Sequence, residues 1–383
     1  MMLEIAFWCS VALVLYAYLG YPCALMALAL VRRRPVKNDS VTPHVSFIIT
    51  AHNEQANIRE KIENTLSQDY PADHLEIIVA SDCSTDRTDE MVTAYSSRVR
   101  LVRARERRGK EAAQRLAIGT ASGEVLIFSD VATALAPDGI STIVRNFADP
   151  TVGCVSSVDR FVDSDGQISG EGAYVRYEMF LRTLETRVNS LVGLSGSFFA
   201  ARREVCRHWP ADRQSDFSTL LNSIEMGLRG VLDPQSAGYY RNIVDDRREL
   251  QRKVRTVVRG IFVLVANVRM LNPFRYGLFA WQLASHKLCR WLVPFSMILA
   301  FLSNALIVAH SILYLMTFAV QVGFYLAAVG GLWTGVQILR IPSFFLLVNF
   351  AILTAWRRFA LGERMITWNP SERIKALPQP SAR

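Results

Sequence analysis

The sequence predicts an α/β domain, a mostly parallel sheet with helices on both faces, joined to α-helical transmembrane and interfacial segments. Three observations predict it. Apolar residues make up 51% of the 383 and are concentrated in two places rather than spread. Between those places, short and nearly continuous apolar runs alternate with polar helical stretches, the pattern of parallel strands buried on both faces. Each run ends in polar residues, and open α/β sheets bind their ligands beyond the strand C-termini.

Met1 to Val31 carries a single charge, Glu4, and exceeds the roughly 20 apolar residues that a bilayer crossing needs. It lacks a basic n-region and a small-residue cleavage site, so it reads as an uncleaved anchor. Arg32, Arg33, Arg34 and Lys37 follow at once, and the positive-inside rule sets the N-terminus outside and the next domain in the cytoplasm. Residues 1–37 are this anchor and its basic flank. Residues 38–249 form the α/β domain, with strands over Val45 to Thr50, Leu75 to Ala80 and Val125 to Ser129 and a helix over Gln55 to Ser67. These strands run into Ala51-His52-Asn53-Glu54, Ser81-Asp82-Cys83-Ser84-Thr85-Asp86 and Asp130, three endings expected to share one crevice. Residues 250–290 mix basic residues with Phe274, Leu278, Phe279 and Trp281 and contain Pro273, as amphipathic interfacial helices do. Residues 291–356 hold two crossings, Trp291 to Val308 and Ile312 to Trp333. The shorter stretch Ile341 to Trp356, with Pro342 and Asn349, is expected to be re-entrant or interfacial. The basic tail, residues 357–383, favours the cytoplasm, whereas a third late crossing would put it outside. Residues 378–383 read as a disordered end. A multi-pass protein of the cell (inner or plasma) membrane with a cytoplasmic domain follows.

Charge and cysteines exclude several classes. The 43 Lys and Arg exceed the 34 Asp and Glu, but the excess flanks the apolar runs, notably Arg247, Arg248, Arg252, Lys253, Arg255 and Arg259. No recognition module accompanies it, so nucleic acid is not a partner and membrane lipid is. The six cysteines show no CxxC pair and no His at ligand spacing, which argues against zinc and against a disulfide framework. A transporter needs ionisable residues inside its spans, and only His310 qualifies.

Further motifs follow in order: Arg107-Arg-Gly-Lys110, Phe128-Ser-Asp-Val-Ala132, Gln214-Ser-Asp-Phe217 with Gly227 and Gly230 behind it, Gln251-Arg-Lys-Val-Arg-Thr256 and Trp368-Asn-Pro-Ser-Glu-Arg373. With the strand endings above, their order and spacing resemble the inverting family-two glycosyltransferases of the membrane-bound polysaccharide-synthase type, over essentially the whole chain. The resemblance implies the A-type nucleotide-sugar fold and a donor site of Glu54, Asp82, Gly109, Lys110, Asp130, Arg252 and Arg255. Asp82 would accept the imide N–H of uracil, while Asp86 caps the next helix. Gly109 would let the backbone approach the donor, and Lys110, opening a helix, would meet the diphosphate. Asp130 would hold Mg²⁺ or Mn²⁺ with the donor phosphates, although Ala132 stands where the family commonly has a second ligand. Asp216 would be the general base, with Ser215 replacing a preceding acid and leaving the Asp216 pKa low. Arg252 or Arg255 would clamp the diphosphate, or else lie on anionic headgroups. Thr256 replaces the Trp of processive enzymes, which weakens the case for processive synthesis. Gly193-Leu-Ser-Gly-Ser-Phe-Phe-Ala200 resembles the strand that faces the acceptor. Ser285-His286-Lys287 and Trp368 match family positions without a chemical role.

The implied reaction is a single displacement with inversion. It moves a hexose or N-acetylhexosamine from a UDP-sugar to a glycan or lipid-linked acceptor in exopolysaccharide or cell-envelope synthesis, with export or assembly subunits as further partners. The departures Ser81, Ala132 and Ser215 keep open a catalytically silent nucleotide-binding subunit.

Overall fold

The computed structural model describes residues 1–162, 173–241, 246–334, 336–365 and 367. The matched positions 368–373 and the end 378–383 lie outside them. The chain forms two compact units, one of Met1–Leu28 with Asp245–Arg364 and one built on Ala29–Val244. It starts with α1 (Met2–Leu15), which passes through a π-helical turn, Tyr16–Gly20, into α2 (Tyr21–Val31).

The second unit carries the sheet. Its elements run β1 (Val45–Ala51), α3 (Ile58–Leu66), β2 (Leu75–Ser81), α4 (Thr88–Thr93), β3 (Val99–Arg103), α5 (Lys110–Thr120), β4 (Val125–Asp130), β5 (Ala134–Leu135), α6 (Gly139–Val144), β6 (Val152–Val162), α7 (Ala173–Val188), β7 (Phe198–Arg202), α8 (Ser215–Glu225) and β8 (Arg229–Arg241). The strand order is β3-β2-β1-β4-β7-β6-β8-β5. All seven residues of β1 are buried, as an apolar strand covered on both faces must be. The strands expected at Val45, Leu75 and Val125 form and pair in parallel, with Thr50 level with Asp130 and Ala51 level with Ser81. Their polar endings therefore emerge at one height.

Beyond β4 the sheet is mixed, not parallel: β7 runs antiparallel to both β4 and β6, and β5 antiparallel to β8. Local pattern could not reveal this half, because β6 interrupts its apolar residues with Ser156, Ser157 and Asp159. Phe47, Ile49, Ile127, Val155, Phe198 and Val231 share one core. On β4, Phe128 stacks on Phe199 and Trp209 at 4.8 and 4.7 Å. Such aromatic pairs add roughly 0.5–1.5 kcal/mol beyond the apolar area they bury.

In the first unit, α9 (Asp246–Ala266) is followed by α10 (Pro273–Tyr276), α11 (Leu278–Leu283), a π-helical stretch Ala284–Cys289, α12 (Arg290–Ile307), α13 (Ile312–Thr334) and α14 (Arg340–Ala360). Among the described residues, four helical stretches are long and apolar enough to cross a membrane: Met2–Val31, Leu278–Ile307, Ile312–Thr334 and Gln337–Ala360. No break falls at residue 290, since the helix is continuous from Leu278, and the stretch around Ile341 is an unbroken helix of 21 residues. Polar residues before Trp291 suggested a surface segment, but Ser285, His286 and Arg290 are buried within the unit. Ser285 Oγ lies 2.7 Å from the Tyr16 hydroxyl, to which Trp281 Nε1 also donates at 2.9 Å. The Arg290 guanidinium stands 5.5 Å over the Tyr18 ring. Burying polar groups in an apolar setting is tolerable when they find such partners.

Candidate active site

The level ends of β2, β1 and β4 are tied into one rim. After β1, Asn53 adopts a positive φ of 53°, and its side chain accepts the Thr85 N–H at 2.8 Å. After β2, Cys83 takes φ 55°, a region in which L-residues other than Asn and Asp are uncommon. Asp86 accepts the Thr88 N–H, the Thr88 hydroxyl and the Gln55 N–H, all within 3.0 Å. Burial pushes its carboxyl up, and these hydrogen bonds outweigh burial and hold it below the usual range. Glu54 accepts from Asn57 Nδ2 at 2.9 Å, so its side chain braces the turn into α3.

Asp82 is fully buried, and its two oxygens accept the backbone N–H groups of Arg108 and Gly109, each at 3.0 Å. In this geometry the carboxylate clamps the loop that opens α5, and an imide N–H would have to share one of those oxygens. Gly109 has φ 97°, which favours a residue without a side chain. The turn aims Lys110 across the crevice, where its ammonium donates to Asp130 Oδ1 at 2.5 Å and to the Gly196 carbonyl at 2.8 Å. The Asp130 backbone N–H donates to the Ser197 carbonyl at 3.0 Å.

Asp216 lies in the first turn of α8 and is 9% exposed, with Oδ2 accepting from Gln214 Nε2 at 3.0 Å. A Cβ added at Gly196 would stand 3.4 Å from that same oxygen. The glycine thus joins the two halves: its carbonyl holds Lys110, and its missing side chain leaves room in front of Asp216. Lys110 pairs with Asp130, Gly196 stands between Lys110 and Asp216, and Asp82 holds Gly109, the residue before Lys110. Arg252 and Arg255 lie on α9, in the other unit.

Two residues escaped sequence reasoning. Lys61 lies on the buried face of α3 with Ile58, Ile62 and Thr65, a helical spacing that could have flagged it. Its ammonium donates to Ser129 Oγ at 2.7 Å and the Thr133 carbonyl at 2.6 Å, closing both ends of the turn that carries Asp130. Burial pushes it down to about 7, against the pull of Asp130. Glu111, also buried, accepts the Ser215 N–H at 3.4 Å, an anion at the start of α8 where the helix dipole favours one. So although Ser215 replaces an acid, a carboxylate from another helix meets its backbone.

Asp130 is the acid best placed for a metal, and its side chain is 41% exposed. No group of three or more His, Cys, Asp or Glu able to hold a metal occurs among the described residues. One carboxylate completed by substrate phosphates and water is nevertheless how Mg²⁺ is commonly held, so this donor set fits an ion that arrives with a diphosphate.

Residues 46–209 match Glycosyl transferase family 2. The chain carries a family 2 glycosyl transferase domain. The domain's relatives include the succinoglycan biosynthesis protein ExoO of Rhizobium meliloti, 32% identical over 27% of this chain and 29% of that protein. Another is a poly-beta-1,6-N-acetyl-D-glucosamine synthase of Staphylococcus aureus, 25% identical over 52% of this chain and 49% of the relative. The chain thus spans less than half the length of these curated relatives. Among solved structures, the mannosyltransferase PcManGT of Pyrobaculum calidifontis, in complex with GDP-Man and Mn²⁺, matches with a TM-score of 0.75 at 24% identity. That match covers 95% of this chain and 100% of the other, and it shows that the transferase domain has the A-type glycosyltransferase fold.

Proposed function

We propose that the chain transfers a hexose or N-acetylhexosamine, with inversion, from a UDP-sugar to a glycan or lipid-linked acceptor at the cytoplasmic face of the cell membrane. Exopolysaccharide or cell-envelope glycan synthesis is the setting, possessing support in the names of the relatives. The observation that carries the reading is the Lys110–Asp130 pair facing Asp216 across Gly196. A cation for the leaving group and a carboxylate for the acceptor are what this reaction requires.

The acceptor hydroxyl attacks the anomeric carbon as the bond from that carbon to the diphosphate oxygen breaks. Asp216 takes the hydroxyl proton, and the electron pair of the broken bond leaves with the diphosphate. Lys110 meets the charge that develops there, with its ammonium already oriented by two acceptors. Asp130 would hold Mg²⁺ or Mn²⁺, which when bound neutralises diphosphate charge. Uracil as the base rests on the resemblance at Asp82. It needs only one acceptor from a carboxylate whose oxygens each already serve one N–H, whereas guanine offers adjacent donors. Arg252 and Arg255 on α9 are assigned to the diphosphate, with acidic headgroups as the competing ligand.

The test is nucleoside diphosphate release from a panel of UDP- and GDP-sugars, using detergent-purified protein with native lipid extract, with Mn²⁺ or with EDTA. Release from one UDP-sugar, lost in EDTA and in Asp216→Asn while UDP binding persists, is the expected result. Full transfer by Asp216→Asn removes the base assignment, and preference for a GDP-sugar removes uracil. Nucleotide binding without transfer from any donor would indicate the silent subunit.

A further inference from the structure

Asp159 is an acid in the middle of a long strand, where Asp is disfavoured. It has no place in the reaction described above. On β6 it faces the Gly193–Ser197 segment, and its Oδ1 accepts two hydroxyls, those of Ser195 and Ser197, each at 2.6 Å. Such lengths mark charge-assisted O–H···O⁻ bonds, roughly twice as strong as neutral ones. The two serines lie 3.0 Å apart through their Oγ atoms. Ser195 is fixed once more, its N–H donating to Ser156 Oγ at 2.8 Å. The residue between them is Gly196.

One carboxylate oxygen therefore holds both neighbours of Gly196. The carbonyls of that short segment are the ones that orient the crevice, because Gly196 accepts the Lys110 ammonium and Ser197 accepts the Asp130 N–H. The chain of contact runs from Asp159 through the serine hydroxyls to the two carbonyls and on to Lys110 and Asp130. Without the anchor, Gly196, which is exposed and has no side chain of its own, would keep its carbonyl in place only through its neighbours' backbone.

We propose that Asp159 is a positioning residue for sugar transfer, acting through Ser195 and Ser197 to set the Lys110 ammonium against the donor diphosphate. The proposal rests on the reading of Lys110 as the diphosphate cation. Misplacing a catalytic group by about 1 Å can cost on the order of 100-fold in rate, and Lys110 keeps Asp130 as its other acceptor, so a loss of about tenfold is expected.

The experiment is a double-mutant cycle of Asp159→Ala and Lys110→Ala in the full-length, detergent-purified protein. It is read in the transfer rate and, by calorimetry, in the Kd for UDP. Asp159→Ala is expected to lower kcat about tenfold in the wild-type background and less than about twofold in Lys110→Ala, because residues acting through one another are non-additive. The Ser195→Ala/Ser197→Ala pair should reproduce the loss with the acid still in place, and Asp159→Asn, which keeps a neutral acceptor, should fall between. Equal factors in both backgrounds would show a purely structural acid and overturn the proposal, as would full activity in the serine pair. If Lys110→Ala leaves no measurable transfer, the same comparison in the Kd for UDP decides. Wild-type protein that neither transfers sugar nor binds UDP overturns the functional reading and this inference together, whereas wild-type transfer with a multiplicative cycle overturns this inference alone.

Discussion

At the scale of single residues, the candidate site depends on charges that are held rather than free. Lys61 shows this most directly, because an ammonium is buried to close the turn of Asp130. Replacing both partners of a buried polar pair by apolar groups can be nearly neutral for stability, but replacing Lys61 alone leaves the Thr133 carbonyl unpaired. Lys61→Met is expected to destabilise the protein by about 1–3 kcal/mol and to lower transfer about tenfold or more, since Asp130 loses its fixed turn. Chemical unfolding and initial rates, measured side by side, check this. Unchanged transfer would mean that the turn holds without the lysine. The charge of Asp82 is spent in the same way, on the loop of Gly109. Along the chain the helical spacing could flag Lys61 as buried but not that it closes the turn of Asp130, and Asp82 is one of several acids after a strand.

At the scale of elements, the junction of the basic flank with the sheet is a buried ion pair. Arg229, at the start of β8, bonds Asp149 at 3.1 Å with both side chains at most 7% exposed. Arg229 also donates to the carbonyls of Arg34 and Pro35. Asp149 further accepts the hydroxyl and N–H of Thr151 and the N–H of Lys37. Burial raises its pKa, but these partners outweigh burial and hold it at about 2, below the ordinary value of 3.8. A depressed folded-state pKa means stability that is present above about pH 4 and lost as pH falls through about 2. Asp149→Asn should therefore cost about 3–5 kcal/mol at pH 7, the usual effect of breaking a buried pair. The gap to wild type should narrow between about pH 4 and 2, by up to about 2 kcal/mol, the worth of that pKa depression. Denaturant unfolding across that range tests it, and a gap independent of pH would assign the loss to packing.

At the scale of the whole molecule, the side of the bilayer on which the tail lies depends on α14. α14 is long enough to cross, but it also packs against α9, whose polar face is strongly basic. Phe262 meets Phe359 at 4.7 Å, and the Lys253 ammonium stands 4.9 Å over the Phe344 ring. A helix with that charge belongs at the interface, and a partner sharing its length is expected there too. Single cysteines at Asp39→Cys and Gly362→Cys in a cysteine-free background should then react with a membrane-impermeant thiol reagent from the same side. Reaction from opposite sides would make α14 a full crossing and place the tail away from the transferase domain.

The apolar helices, the three strands after Val45, Leu75 and Val125 and the shared height of their endings were legible in the sequence, because hydrophobic periodicity is a local property that burial imposes on each element. Asp86 meets the start of the next helix through the Thr88 N–H, although Arg87 is the N-cap residue. The mixed half of the sheet was not legible, since antiparallel β7 inserts beside β4 from far along the chain, and pairing partners leave no local trace. The meeting of Lys110 with a carbonyl 86 residues away, and of that glycine with Asp216, exists only through this strand order. Sequence determined which residues can do chemistry; tertiary structure decided which of them share a site, because distance in space is set by sheet topology and not by spacing along the chain.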